Sequence, residues 1–340
     1  MTRLSYIMLI MLAVCGPAAL AQRTFDEDEF AVKSNDIEEQ LDRKTPGWIF
    51  HKPYESNPAS QLKLAEQIEK AGNKSKAGRA YNALVHQWHD SPEAVTAQLA
   101  LARILAERGK YSDAFDEYQY LTEYFQGRFK YSEVMDAQFK IANQMMTMKH
   151  WDFLILPGFK DPVRAIPLFE KIIGNAPGWN KTPEALFNIG LINEDEESYD
   201  EAIDAYERLV NRYPNCSYAA EAAYRSSKCL CLQVKRAKYD EGSYRTAMAS
   251  LAAFRRDYPE HPGNEEAGRE INRLYNELGK IYYEKAYFYD YKAKKPDAAV
   301  IAYSDFLKQF PNSELAEQAE KRLEELTQAK EKVNEKKSDK

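Results

Sequence analysis

The chain is poor in the residues from which most active sites are built. Its five histidines are His51, His86, His89, His150 and His261. His86 and His89 stand three apart on a predicted helix and could share a metal, yet no third ligand lies near them in sequence, so no metal site is expected. G-x-S-x-G, a phosphate-binding glycine loop and H-E-x-x-H are all missing. Only 14 glycines are present, mostly at predicted turns and helix ends, which leaves nothing to cradle a cofactor. No catalytic residue, no cofactor and no enzyme activity is therefore expected. No segment alternates apolar and polar residues with a period of two, which excludes a sheet protein. A net charge of −6 argues against nucleic acid as a partner.

Long hydrophobic runs are also lacking. The one apolar stretch, Leu4 to Val14, is too short to cross a bilayer. With Arg3 before it and Ala19-Leu20-Ala21 after it, it reads as a secretory signal over residues 1–21, cleaved before Gln22. A rival reading takes Leu12-Ala13-Val14-Cys15-Gly16 as a lipobox, with Cys15 acylated and becoming the mature N-terminus. Both place the protein beyond an inner membrane, where disulfides can form. Cysteine is scarce there too. Cys216, Cys229 and Cys231 follow residue 21. Cys229 and Cys231 diverge by about 200° around a helix and cannot bond each other. They read as small buried hydrophobes, with a bridge from Cys216 as the minor alternative.

Residues 22–56 carry Asp26-Glu27-Asp28-Glu29, an apolar patch Trp48-Ile49-Phe50, and Pro46 and Pro53. They are expected to form an extended, partly disordered acidic leader, with Trp48 and Phe50 available to pack on the first helical unit.

What the chain does have is repetition. Ser198 to Pro214, SYDEAIDAYERLVNRYP, sets a pattern of alanine, a bulky residue four later, another three later, an aromatic four after that, then proline. Copies begin at Ala77, Ala114, Ala165, Ala202, Ala247 and Ala299. Offsets of 0, 4, 7 and 11 form one helical stripe, and the proline ends it. Twelve residues before Ala77, Ala114 and Ala202 stand Ala65, Ala102 and Gly190, where a second small residue lets an earlier helix approach closely. The unit is thus a helical hairpin, with steps of 37, 51, 37, 45 and 52 residues between copies. That is close to the ~34-residue tetratricopeptide repeat, whose signature includes A-x3-F and a closing proline. The expected fold is all-α: a tetratricopeptide-repeat superhelical solenoid over residues 57–329, of about six helical hairpins plus a C-terminal capping helix, followed by a charged disordered tail at 330–340.

Two units carry insertions, at His150–Pro162 (HWDFLILPGFKDP) and at Gln233–Tyr244, each either a packing element or a binding loop. Asn193–Glu197, NEDEE, lacks the spacing that wraps calcium and reads as a solvated acidic turn. Asn264 to Lys292 predicts an unusually long helix with Tyr275, Tyr282 and Tyr289 in a core stripe. In this repeat class the first helices line the concave face. Counting from Ala142, Gly190 and Ser227 places Phe139, Asn143 and Met146, then Phe187, Leu191 and Glu194, then Tyr224, Lys228 and Cys231 toward it. Phe139, Met146, Phe187, Leu191 and Tyr224 are expected to form an apolar strip, with Asn143 and Lys228 as polar handles, as a partner-binding groove.

The export signal, the closings Asn211-Arg212-Tyr213-Pro214-Asn215 and Gln309-Phe310-Pro311-Asn312-Ser313, the loop-bearing third repeat and EKAYFY at Glu284–Tyr289 together resemble the BamD (YfiO-type) lipoproteins of the outer-membrane β-barrel assembly machinery. The resemblance covers roughly Asn57 to Leu326. It implies a non-catalytic scaffold on the periplasmic side of the outer membrane, held at the membrane periphery if lipidated. Its implied partners are the periplasmic domains of the barrel-forming assembly protein and unfolded outer-membrane proteins. The alternative is a soluble periplasmic tetratricopeptide adaptor for cell-envelope or cell-division coordination.

Overall fold

A computed structural model describes residues 52–150 and 159–338. The expected signal segment, Cys15, Trp48, Phe50 and residues 151–158 lie outside the described residues. Six antiparallel helix pairs succeed one another. They are α1 (Pro58–Lys70) with α2 (Lys74–Gln87), α3 (Pro92–Glu107) with α4 (Tyr111–Tyr124), α5 (Tyr131–Thr147) with α6 (Ile166–Asn175), α7 (Thr182–Asp195) with α8 (Tyr199–Arg212), α9 (Ala219–Arg236) with α10 (Glu241–Asp257), and α11 (Asn264–Tyr287) with α12 (Pro296–Gln309). The last helix, α13 (Ala316–Ser338), covers the end. The architecture is the expected helical tetratricopeptide solenoid.

Local sequence explains the boundaries. Asn57, Asn73 and Asp240 cap α1, α2 and α10 by accepting from the backbone N–H three residues on, at 2.9–3.0 Å. Proline opens α1, α3 and α12, where its missing N–H is not needed. In four of the hairpins a left-handed residue stands two places before the second helix. Glycine supplies it in the first two units, Gly72 (φ 82°) and Gly109 (φ 75°), but Glu197 (φ 57°) and Lys294 (φ 53°) do so in the fourth and sixth.

Small residues hold the helices together, as the repeat requires. Ala65, Ala77, Ala102, Ala114, Ala142, Ala202, Ala247 and Ala299 are fully buried. The four-later positions Tyr81, Phe169, Tyr206 and Tyr303 are buried against them. Burying an apolar side chain of this size contributes about 2–3 kcal/mol. The core divides within α9: Cys229 belongs to the cluster running from α1, and Cys231 to the one running to α13. The divergence expected for this pair therefore places each in a different core. All three described cysteines are free.

Several features differ from the sequence reading. Lys149–His150 and Phe159–Lys160 pair antiparallel, Lys149 with Lys160 and His150 with Phe159, so a two-residue ladder closes the base of the first insertion. No loop marks the second. Its residues lengthen α9 and α10 to 18 and 17 residues, because residues 233–236 and 241–244 continue the apolar period of the helices they adjoin. Past Lys330, where a disordered tail was expected, α13 continues to Ser338.

The long helix is present as α11 with a π-helical turn, Phe288–Lys292, at its end, and its length has a structural cause. In the third and fourth units the second helices pack in register, Arg208 near the end of α8 meeting Glu170 on α6 at 2.7 and 3.0 Å. In the fifth and sixth they do not. Arg245, near the start of α10, donates to Gln309, the last residue of α12, at 2.6 Å. Tyr282 on α11 likewise donates to Glu241, the first residue of α10. The last hairpin is displaced lengthwise, and α11 spans both levels. Tyr275 and Tyr282 pack on Phe310 at 5.2 and 5.1 Å between ring centres, as the core-stripe reading anticipates.

Candidate functional site

Two hollows lie against the first helices of the hairpins, on either side of α5. The larger, about 710 Å³, is lined from α1 by Glu66, Glu69 and Lys70, from α3 by Thr96, Leu99, Ala100 and Arg103, and by Lys130, just before α5, with Glu133 and Val134 of α5, with Tyr81 and Tyr118 as its floor. The second, about 670 Å³, is bounded by Asp136, Phe139, Lys140, Asn143, Gln144 and Thr147 of α5 and by Lys181. Helical spacing explains both walls: Thr96, Leu99, Ala100 and Arg103 form one face of α3, and Asp136, Phe139, Lys140, Asn143 and Thr147 form one face of α5.

The expected strip is only partly surface. Phe139 is 5% exposed and packs edge-on against Phe169 and Trp179 at 5.9 and 5.5 Å. Tyr224 is 9% exposed and packs on Phe254 and His261 at 5.1 and 5.4 Å. Both rings belong to the core, because the link from each ring's hairpin to the next, carrying Trp179 or His261, packs on it. Met146, Phe187 and Leu191 are half-buried. Asn143 Oδ1 accepts from Asn188 at 2.9 Å, and Lys228 is exposed, 3.8 Å from Glu266.

A cation also stands over each aromatic of the strip. Lys181 lies 5.5 Å from the Phe139 ring centre, Arg225 5.9 Å from Phe187 and Lys228 5.3 Å from Tyr224. The face is thus aromatic beneath and cationic above, each pair adding about 0.5–2 kcal/mol. Burial, then the hydrogen bond to Glu266, pushes the Tyr224 phenol up to about 12. Burial likewise pushes the Cys229 and Cys231 thiols up to about 12, which keeps them protonated and unreactive.

One recurring device was not anticipated. Tyr81 donates to Glu69 at 2.8 Å, and Arg103 on the next first helix donates to the same carboxylate at 2.6 Å. Tyr206 and Arg225 do the same to Glu194 at 2.8 and 3.0 Å. Tyr303 and Arg322 do so to Asp290, at 3.5 Å from the phenol and 2.7 and 3.0 Å from the guanidinium. The first two triads tie one hairpin to the next, and the third ties the last hairpin to α13. Glu194 therefore does not sit in a merely solvated acidic turn: it is the centre of the second triad, and Glu197 pairs with Arg236 at 2.6 Å. Burial, then the acidic partner, raises the phenol pKa of Tyr81 and Tyr206.

The counting rule that gave Phe139 to Lys228, applied to Ala65 and Ala102, gives Leu62, Glu66, Glu69, Leu99, Arg103 and Ala106, of which Glu66, Glu69, Leu99 and Arg103 line the larger hollow. That signal was present in the sequence. Among the described residues no group of three His, Cys, Asp or Glu could hold a metal, and no helix is long and apolar enough to cross a membrane.

Comparison with known proteins finds tetratricopeptide-repeat models matching residues 63–126, 184–215 and 277–313, so the chain carries tetratricopeptide repeats. The outer membrane protein assembly factors BamD of Neisseria gonorrhoeae and Neisseria meningitidis are 27% identical over 135 residues, which is 39% of this chain and 48% of theirs. The chain thus spans about half the length of these relatives. Among solved structures, MamA from Desulfovibrio magneticus RS-1 aligns with a TM-score of 0.29 at 14% identity, over 61% of this chain and 98% of that one. The C-terminal part of a tetratricopeptide-repeat protein from Cytophaga hutchinsonii aligns with a TM-score of 0.32 at 15% identity, over 83% and 92%.

Proposed function

We propose that the chain is a non-catalytic scaffold that seats a segment of a partner protein along its concave face, in the manner of BamD at the periplasmic side of the outer membrane. The observation that carries this reading is the hollow spanning α1, α3 and α5. Its walls combine an apolar strip, Leu99 and Ala100, with charges of both signs, Glu66, Arg103, Lys130 and Glu133. Such a trough suits an extended or helical peptide that buries one face and pairs its flanks. The likeness to the two assembly factors supports envelope partners, the periplasmic domains of a barrel-forming assembly protein first among them.

The test fills the trough. Thr96→Arg with Ala100→Arg places two long side chains across its centre, from an exposed and a half-buried position. Co-purification of the assembly protein from the native host should fall at least roughly tenfold, the loss expected when a central contact is blocked, with the melting temperature kept within a few degrees. Undiminished co-purification refutes the reading. Phe187→Ala with Tyr224→Ala is a poor probe, since Tyr224 is core.

A further inference from the structure

The lengthwise displacement of the last hairpin leaves a projecting tip. Tyr282 lies beside the first residue of α10, so the helix from there to Lys292 extends roughly 15 Å beyond the preceding hairpin. On this tip Tyr287, Phe288 and Tyr291 are exposed, Phe288 by 54%, and Tyr287 stacks on Tyr291 at 4.5 Å. Lys292, Lys294 and Lys295 come next, all exposed, and among the described residues none of the three forms an ion pair. Of the acids flanking these lysines, Asp290 is engaged by Arg322 and Asp297 by Lys330. In a chain of net charge −6 this is a local reversal of sign. Lys294 holds a left-handed φ of 53°, at the position where the first two units place glycine. A lysine is kept there against a backbone preference.

We propose that this tip docks on an anionic lipid surface, with Tyr287 and Phe288 entering the headgroup layer and Lys292, Lys294 and Lys295 meeting lipid phosphates. Tyrosine and phenylalanine beside lysines are the side chains that settle at a membrane interface. Each lysine near an anionic leaflet strengthens attachment several-fold. The patch lies at a projecting helix end, and none of its residues lines either of the two hollows that would enclose a peptide. Arg322, over the Tyr291 ring at 5.1 Å, is held by Asp290 and Glu325, so the cations left without an acid are lysines, point charges without the fixed fork by which arginine matches one carboxylate. That suits a fluid array of phosphates better than an acidic protein.

The test uses the full chain with Cys15→Ser, so that no acyl chain contributes, and sedimentation with vesicles of phosphatidylglycerol mixed with phosphatidylcholine or of phosphatidylcholine alone. The chain should bind the anionic vesicles at least roughly tenfold more tightly. Lys292→Glu with Lys294→Glu and Lys295→Glu should lose that preference, and Tyr287→Ser with Phe288→Ser should weaken binding to the anionic vesicles at least roughly tenfold. Lys63→Glu with Lys308→Glu and Lys321→Glu, the same charge change at exposed sites elsewhere, should retain it. Equal binding to both vesicles overturns the proposal, as does either tip variant behaving as the parent, or the control losing as much as the lysine variant. Capture by polyglutamate beads with no vesicle binding also overturns it, in favour of an acidic protein. All substituted positions among the described residues are exposed, and circular dichroism verifies that each variant keeps its helices.

Discussion

Replacing Gly190 by alanine adds one methyl group where the hairpin of α7 and α8 closes. A Cβ at that position would stand 2.6 Å from Cδ1 and 2.7 Å from Cζ of Tyr206, against the 3.5–4.0 Å at which carbon atoms attract. The ring cannot yield cheaply, because it is fully buried and its hydroxyl is held by Glu194. Overpacking of this kind costs about 1–3 kcal/mol. A rigid neighbour puts the site at the upper end, and the better helix propensity of alanine returns at most about 1 kcal/mol. The net loss is about 2 kcal/mol. At about 2–4 °C per kcal/mol the melting temperature should fall by about 4–8 °C. Urea titration followed by far-ultraviolet circular dichroism measures it, with Gly174→Ala as the control. Gly174 is exposed, with nothing within 4 Å of an added Cβ, so the same substitution there should be neutral or stabilising by up to about 1 kcal/mol. If the two variants shift stability equally, the close approach at Gly190 is not what holds this hairpin.

Two further outcomes rest on the triads and on the buried phenols. Asp290 is 6% exposed at its side chain, so Arg322→Met leaves a buried carboxylate unpaired and should cost about 3 kcal/mol. Arg103 is 50% exposed, and Arg103→Met should cost less than about 1 kcal/mol. Hydrogen exchange at α13 should rise for the first variant only, and equal effects would refute the burial argument. Tyr224, with its phenol raised to about 12, stays protonated in the folded chain after the unfolded chain has begun to ionise near 10. Its contribution is complete below pH 10 and is lost as pH rises toward 12. Tyr81, Tyr206 and Tyr303 are shifted in the same direction, chiefly by burial. Tyrosinate absorbance should therefore rise together with loss of helix in that window; ionisation well before unfolding would contradict it.

The repeat was legible because its signal is steric. A small residue at the crossing, a bulky apolar one four residues later and, in four of the six copies, a proline after the last turn recur because close packing and helix termination favour them. Concave positions were legible from the same register, although facing the groove does not mean being exposed to it. Phe139 and Tyr224 point the expected way and are then covered by Trp179 and His261, residues of later turns that no within-helix count includes. The displacement of the last hairpin was not legible. It depends on which level of α11 receives α12, and the uninterrupted apolar stripe of that helix offers two. The triads left a sequence trace, an acid 12 or 13 residues before the tyrosine and an arginine 31–34 after the acid. Their partners lie on three helices, so only the assembled fold makes them one group.

The triads also bear on where the concave face is open. The first latches α1, α2 and α3 through Glu69, Tyr81 and Arg103. At the next step Tyr118 stands where Tyr81 did, but the residue 12 before it is Ala106, and the positions 31–34 beyond Ala106 hold Ala137, Gln138, Phe139 and Lys140. With neither acid nor arginine, no triad forms, and Tyr118 instead lies on the floor of the larger hollow. A latched step therefore adjoins an unlatched one across α3. Arg103 belongs to both: its guanidinium is spent on Glu69, while its stem lines the trough. A partner segment entering there meets a wall fixed by the first triad on one side. On the other it meets α5, which lacks a triad holding it to α3 and carries a second hollow on its far side. Among the described residues of the first three hairpins, the larger hollow thus lies at a step that no triad closes.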